Sequence, residues 1–256
     1  MMLISKGFGR VINTPFVVLS AIVLWEFMVK LFNIPRFVLP SPSDIIATIT
    51  RYPLYLISNL LETLYFATLG LCIAALSSMA LSLLLAYSET IRGAIYPVIA
   101  GFNAIPRAAL VPVLVIWFGL GSIPKILTAF LIAFFPILVP SLTAMITIEK
   151  EMWELLVSFG ATKRQILVKV AIPRAMPYFL SSLQAGFTGA LVGTVIAEMV
   201  ASDRGLGYII LSSTSRLDTP LAFSCLVLLS IVALILSKIL TVLERGVVRW
   251  AYRVGE

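Results

Sequence analysis

The chain has 256 residues, of which 60% are apolar and only 12% charged, about half the charge of a typical soluble domain. A water-soluble fold of this length cannot hide so many apolar side chains, so the sequence reads as an integral membrane protein. Nineteen Lys and Arg against twelve Asp and Glu give a net charge of +7, and there is no histidine. That removes the commonest metal ligand and general base, and with them zinc proteases and Ser-His-Asp hydrolases.

Charge-free runs divide the chain. A helix needs about 20 apolar residues to cross the hydrocarbon core. The run 11–25 reaches that length as a helix over 11–32 if Glu26 and Lys30 pair at its outer end. We read it as a retained helix rather than a removed signal. Three prolines in 34–43 predict an extended outer loop, after which Asp44 can cap a short interfacial helix. The runs 63–88, 126–148, 175–197 and 219–237 predict helices over 59–88, 124–148, 175–201 and 219–243. A further helix over 93–120 is interrupted by Arg107 between Pro106 and Pro112, where a local break is expected. The expected fold is therefore an all-α membrane protein of about six transmembrane helices, forming one domain over 1–256. Cys72 and Cys225 lie inside apolar runs and read as buried, inert thiols rather than a disulfide framework.

Orientation follows from Lys and Arg placement. With the N-terminus in the cytoplasm, Lys6, Arg10, Arg92, the basic residues of 150–174 and those from Lys238 to Arg253 fall inside. Lys30, Arg36, Arg51, Lys125, Arg204 and Arg216 fall outside, half as many. Both termini are then cytoplasmic. The basic balance belongs to the loops of a membrane protein and implies no nucleic-acid partner.

The inside segment 149–174 is too polar to span. Trp153, Leu155, Leu156, Phe159, Ile166, Leu167 and Val170 include i, i+3 and i+4 pairs, which predicts short amphipathic helices broken near Gly160. Pro173 is expected to end the segment. Such helices can dock in a partner's groove or lie on the bilayer, where Lys163, Arg164 and Lys169 would suit the headgroups.

Glu154, Gly160 and Pro173, with Val170-Ala171-Ile172 before the proline, resemble the signature loop of type I ABC importer permeases, although Leu155 and Leu156 stand where that signature has alanines. Further segments resemble the sulfonate, taurine and nitrate branch. These are Leu39-Pro40-Ser41-Pro42-Ser43, Asn103-Ala104-Ile105-Pro106-Arg107, Ile116-Trp117-Phe118-Gly119-Leu120-Gly121, Ala197-Glu198 and Gly205-Leu206-Gly207-Tyr208. The resemblance covers nearly the whole chain.

It implies a multi-pass protein of the bacterial inner membrane that works with a second permease copy, two copies of an ABC ATP-binding subunit and an extracytoplasmic solute-binding protein. On that resemblance, short cytoplasmic coupling helices between helices four and five meet the ATPase through Trp153, Glu154, Leu155, Ser158, Phe159, Gly160, Ala161 and Pro173. No cofactor is expected in this chain. It has no Gly-x-x-x-x-Gly-Lys-Ser/Thr phosphate loop, and the resemblance places ATP and Mg in the partner. The chain itself is expected not to be an enzyme. The implied cargo is a small solute such as a sulfonate, taurine, nitrate or a heterocyclic precursor.

Two charges are left at membrane depth, Arg107 and Glu198. Both should face protein or water. Arg107 can attract an anionic substrate, pair with Glu198 or a helix end, or snorkel to an interface. Asn103, Thr188 and Thr194 join them as candidates for a translocation path. Gly186, Gly189 and Gly193 read first as a packing seam. The outer loop from Ser202 to Tyr208 is either part of a substrate portal or a simple turn with a capping Asp. The alternative to an ABC permease is an ion-coupled secondary transporter acting without an ATPase. Such carriers commonly carry internal repeats, and none is visible here.

Overall fold

The computed structural model describes residues 4–248 and 250, with side chains from residue 16 onward. All regular structure among the described residues is helical. In chain order the helices are α1 (Ile4–Leu31), α2 (Pro42–Arg51), α3 (Pro53–Tyr87), α4 (Glu89–Asn103), α5 (Val111–Phe118), α6 (Ser122–Ile146), α7 (Lys150–Ser158), α8 (Lys163–Ile166), α9 (Ile172–Ala201), α10 (Leu206–Ser215) and α11 (Thr219–Val247).

Several helices exceed their expected bounds, for one physical reason. Charge marks where a helix leaves lipid, not where its hydrogen-bond ladder stops. Thus α1 begins before residue 11, α11 runs past 243, and α3 begins at Pro53 rather than 59, with Glu62 inside it. A proline in the first turn gives up no helical bond. Similarly, α6 takes in Ser122 to Lys125 and ends before 148. The helix expected over 93–120 is two helices. Ser88 caps α4, a 3-10 turn over Arg107–Leu110 leads into α5, and the two halves meet at 85°. Pro106 sets the break, because a residue before proline is pushed out of the helical region.

Four stretches are long and apolar enough to span a bilayer, namely α3, α6, Lys163–Ala201 and α11, with α4 and α5 as a fifth if the bent pair crosses together. That count covers the described residues only. Lys6, Arg10, Arg249 and Arg253, which enter the expected orientation, have side chains outside them.

The chain resolves into two compact units. One holds the residues up to Ser58 together with Ile209–Leu228. Here Ser41, not Asp44, is the N-cap of α2, and Asp44 sits at the third helical position to complete a capping box. Glu26 of α1 accepts from the backbone N–H and hydroxyl of Ser43 at 3.0 and 2.8 Å. Trp25 stacks at a tilt on Phe223, centroids 6.2 Å apart. Buried Ile45 lends its carbonyl to the hydroxyl of Ser224, 3.3 Å away. Cys225 is buried as expected.

The other unit holds Asn59–Tyr208 and the residues from Leu229 on. Its centre is the packing of α6 against α9, with α3 alongside. The seam is made of glycines. A Cβ on Gly193 would stand 2.8 Å from the Thr128 carbonyl oxygen, and one on Gly186 would stand 2.6 Å from the Ile137 side chain. Small residues here let the backbones approach closely. Two serines stitch α3 to α6 one turn apart: Ser78 donates to the Phe134 carbonyl at 3.0 Å and Ser82 to that of Leu138 at 3.4 Å. Cys72, expected to be buried, is exposed on α3. An apolar run that crosses lipid has an outward face as apolar as its inward one, so hydropathy alone does not place a residue inside.

Candidate functional site

The segment 149–174 forms a helix–turn–helix whose turn is fixed by its own backbone. The N–H of Gly160 donates to the Val157 carbonyl at 2.9 Å and that of Ala161 to Leu156 at 3.0 Å. This is a Schellman closure of α7, which needs a left-handed residue after the cap. Gly160 supplies it, with φ at +79°. The next residue pair opens the return helix. Thr162 accepts from Gln165 N–H at 3.3 Å, while the Gln165 side chain accepts from Thr162 N–H at 2.8 Å. That capping box is legible as Thr162-x-x-Gln165 but escaped the sequence reading.

Nothing on α7 is fully buried. Trp153 and Leu156 are half-buried toward the chain, while Leu155, Val157 and especially Phe159, at 81% exposure, stand free. Glu154 is exposed, its carboxylate 3.7 Å from Lys150, and Ser158 donates back to the Glu154 carbonyl at 2.9 Å. The return helix is anchored where Ala171 and Ala175 bury against Ala144 and Met145. Pro173 does not end the segment as expected. It lies in the first turn of α9, and the ladder runs from α8 through a wide π turn over Leu167–Ala171 into that helix. Proline has no N–H for the Lys169 carbonyl and crowds it at α spacing, and the wider turn accommodates this.

A second constellation is buried and polar. Glu198, fully buried near the end of α9, accepts at Oε2 from the Thr63 hydroxyl and the Gly207 N–H, both at 2.9 Å. Thr63 accepts from Leu206 N–H at 2.9 Å, and Asn59 accepts from Gly205 N–H at 2.7 Å. Gly205 and the first two residues of α10 are therefore pinned by three successive amides to α3 and α9, which is more than a simple turn. At Gly205, φ is +100° and a Cβ would overlap the Glu198 carboxylate. Beside it, Lys125 is 3% exposed, pairs with Glu62 at 3.0 Å and lies 4.6 Å over the Phe66 ring. Glu62 and Lys125 lie near the outer ends of the helices expected over 59–88 and 124–148, where Lys125 counts among the outer charges. The signal that could have found the cluster is the spacing of Asn59, Glu62, Thr63 and Phe66, which share one helical face.

Of the expected path residues, the structure joins Arg107 to Asn103 and leaves Thr188 and Thr194 bonded within their own helix. Arg107 does not pair with Glu198. Its Nη2 donates to the side chain of Asn103 and its Nη1 to the Ile132 carbonyl at 3.4 Å, with the guanidinium 4.8 Å over Phe135. Thr194 is fully buried and turns its hydroxyl to the Ala190 carbonyl at 3.0 Å. Thr188 is exposed and bonds Gln184 in the same way at 3.1 Å. Gln184 in turn reaches Thr241 of α11 at 2.9 Å and Glu244 at 3.4 Å, a polar link not anticipated from sequence.

A bundle of apolar helices, a proline-broken span and a glycine-closed amphipathic loop define a multi-pass membrane transport protein. Residues 70–250 match the family of binding-protein-dependent transport system inner membrane components, and the chain belongs to that family, the permeases of type I ABC importers. It is 34% identical to a riboflavin transport system permease protein of Chloroflexus aurantiacus, over 93% of this chain and 90% of that one. A formylaminopyrimidine transport permease protein of Halalkalibacterium halodurans is 30% identical over 91% and 93%. A taurine transport system permease protein of Escherichia coli is 31% identical over 71% and 66%.

Proposed function

We propose that this chain, an importer permease of the inner membrane, carries a small solute through a path built with a second permease copy, driven by an ATP-binding subunit that docks on α7. The observation that carries this reading is the loop. An amphipathic helix locked by a Schellman turn, with Leu155, Val157 and Phe159 unburied, needs a partner surface. Trp153, Glu154, Leu155, Ser158, Phe159, Gly160 and Ala161 form or shape that contact. Pro173 acts at one remove, through the π turn that aims the return helix. ATP and Mg belong to the partner.

In this reading both termini are cytoplasmic and α1 supplies a further span. Ile116, Trp117 and Leu120 on and after α5 are 80%, 71% and 77% exposed, and such an apolar face suits a second copy or lipid. An external binding protein delivers the cargo to the opposite side. Two relatives that match about nine tenths of both chains bear the names of heterocyclic solutes. A pyrimidine or flavin-like heterocycle is therefore the first cargo to test, with taurine the second.

The test is uptake into proteoliposomes holding this chain, with and without its ATP-binding subunit and binding protein. Uptake that requires ATP and all three components supports the reading. Uptake by this chain alone, driven by an ion gradient, would overturn it in favour of a secondary carrier.

A further inference from the structure

We propose that Arg107 is a positioning residue, whose guanidinium replaces the hydrogen-bond donor that Pro136 removes from α6 and so fastens the bent α4–α5 span to that helix. In an α-helix the N–H of residue 136 would serve the carbonyl of Ile132. Proline has none, and the carbonyl lies where lipid offers no substitute. Arg107 Nη1 stands 3.4 Å from that oxygen.

The same guanidinium ties down both sides of the bend. Asn103, the last residue of α4, takes Nη2, while Arg107 itself opens the turn that leads into α5. The ring of Phe135, next to the proline, lies beneath the cation at 4.8 Å. One planar group thus meets α4, the turn and α6. Arginine suits this, since a fork of donors on a flat, weakly hydrated cation can bond two acceptors and stack at once. A charge placed this way is a fastening, and it explains why Arg107 interrupts an apolar stretch without an acidic partner.

The test separates this role from substrate attraction and does not depend on the transport reading. Purified Arg107→Gln, Arg107→Lys, Pro136→Ala and Arg107→Gln/Pro136→Ala chains are compared by amide hydrogen exchange across residues 103–111 and by thermal unfolding in detergent. Arg107→Gln should raise exchange in that segment by on the order of tenfold, as expected for losing a charge-assisted bond. Arg107→Lys should recover part of this. Pro136→Ala returns an N–H to Ile132, so the added effect of Arg107→Gln in that background should shrink to about threefold or less. If Arg107→Gln alone yields no folded protein, the double variant should yield it.

An equal effect of Arg107→Gln in both backgrounds, or failure of the double variant to fold, would overturn the proposal. In the assembled transporter, Arg107→Gln should lower the maximal rate and leave KM unchanged. A raised KM for an anionic solute with unaltered exchange would assign Arg107 to the cargo instead.

Discussion

Glu198 and Gly207 are joined by a 2.9 Å hydrogen bond from the glycine N–H to Oε2, so the carboxylate of α9 holds the first turn of α10. The same oxygen takes the Thr63 hydroxyl. Replacing the carboxylate by Glu198→Ala leaves the buried Gly207 N–H without an acceptor, at about 1–3 kcal/mol, while the Thr63 hydroxyl keeps only the Asn59 carbonyl, 3.1 Å away. Glu198→Gln keeps one acceptor oxygen. Thermal unfolding in detergent should therefore show a large loss for Ala and a smaller one for Gln. Gly205→Ala should be as harmful as Glu198→Ala, because its φ of +100° and the carboxylate beside it both exclude a Cβ. Equal midpoints for the three variants and the native chain would contradict this.

The Lys125–Glu62 pair predicts that a second substitution rescues the first. Lys125 has only 4% of its side chain exposed, against 25% for Glu62. Lys125→Met leaves the half-buried Glu62 carboxylate without its cation and should destabilise by about 3 kcal/mol, toward the lower end of the range for broken buried pairs because Glu62 keeps some solvent. Adding Glu62→Gln should restore most of the lost stability. A double variant no better than Lys125→Met would show that the pair is not what holds these ends of α3 and α6.

The glycine seam gives a contrast within helices. Gly193→Leu must push the side chain into the Thr128 carbonyl and the Ala129 Cα, and we expect failure to accumulate in the membrane. Gly246→Ala, on α11, meets no atom within 4 Å and should be neutral or gain up to about 1 kcal/mol of helix propensity. Membrane yield and melting of the two variants check this directly.

Much of this was legible in the sequence, and the exceptions share a cause. Charge-free runs located the long helices but not α10, Pro106 the broken span, and Glu154 to Gly160 the exposed loop, because each is a local property of composition or backbone. What escaped depended on which face of a helix meets which neighbour. Lys125 and Glu62 flank apolar runs and resemble solvated ends until α3 and α6 are seen side by side. Arg107 and Glu198 invite pairing because both are charged, whereas Arg107 meets Asn103 and the Ile132 carbonyl, which is free for it only because Pro136 lacks an N–H. Cys72 reads as buried because lipid-facing and core-facing positions are equally apolar. Membrane sequences report helices well and faces poorly.

The contact between α7 and an ATP-binding subunit is the centre of the account, and one cross-linking measurement addresses it. Cys72 and Cys225 are replaced by serine and a single cysteine is placed at Phe159, with a second version carrying it at Val38 on the loop before α2. Both residues are well exposed, at 81% and 58%. In membranes containing the assembled, transport-competent complex, a short thiol–amine cross-linker should join position 159 to lysines of the ATP-binding subunit and leave position 38 unjoined to it. Transport-competent complexes in which position 159 never cross-links to that subunit would contradict the docking of α7 and the function built on it.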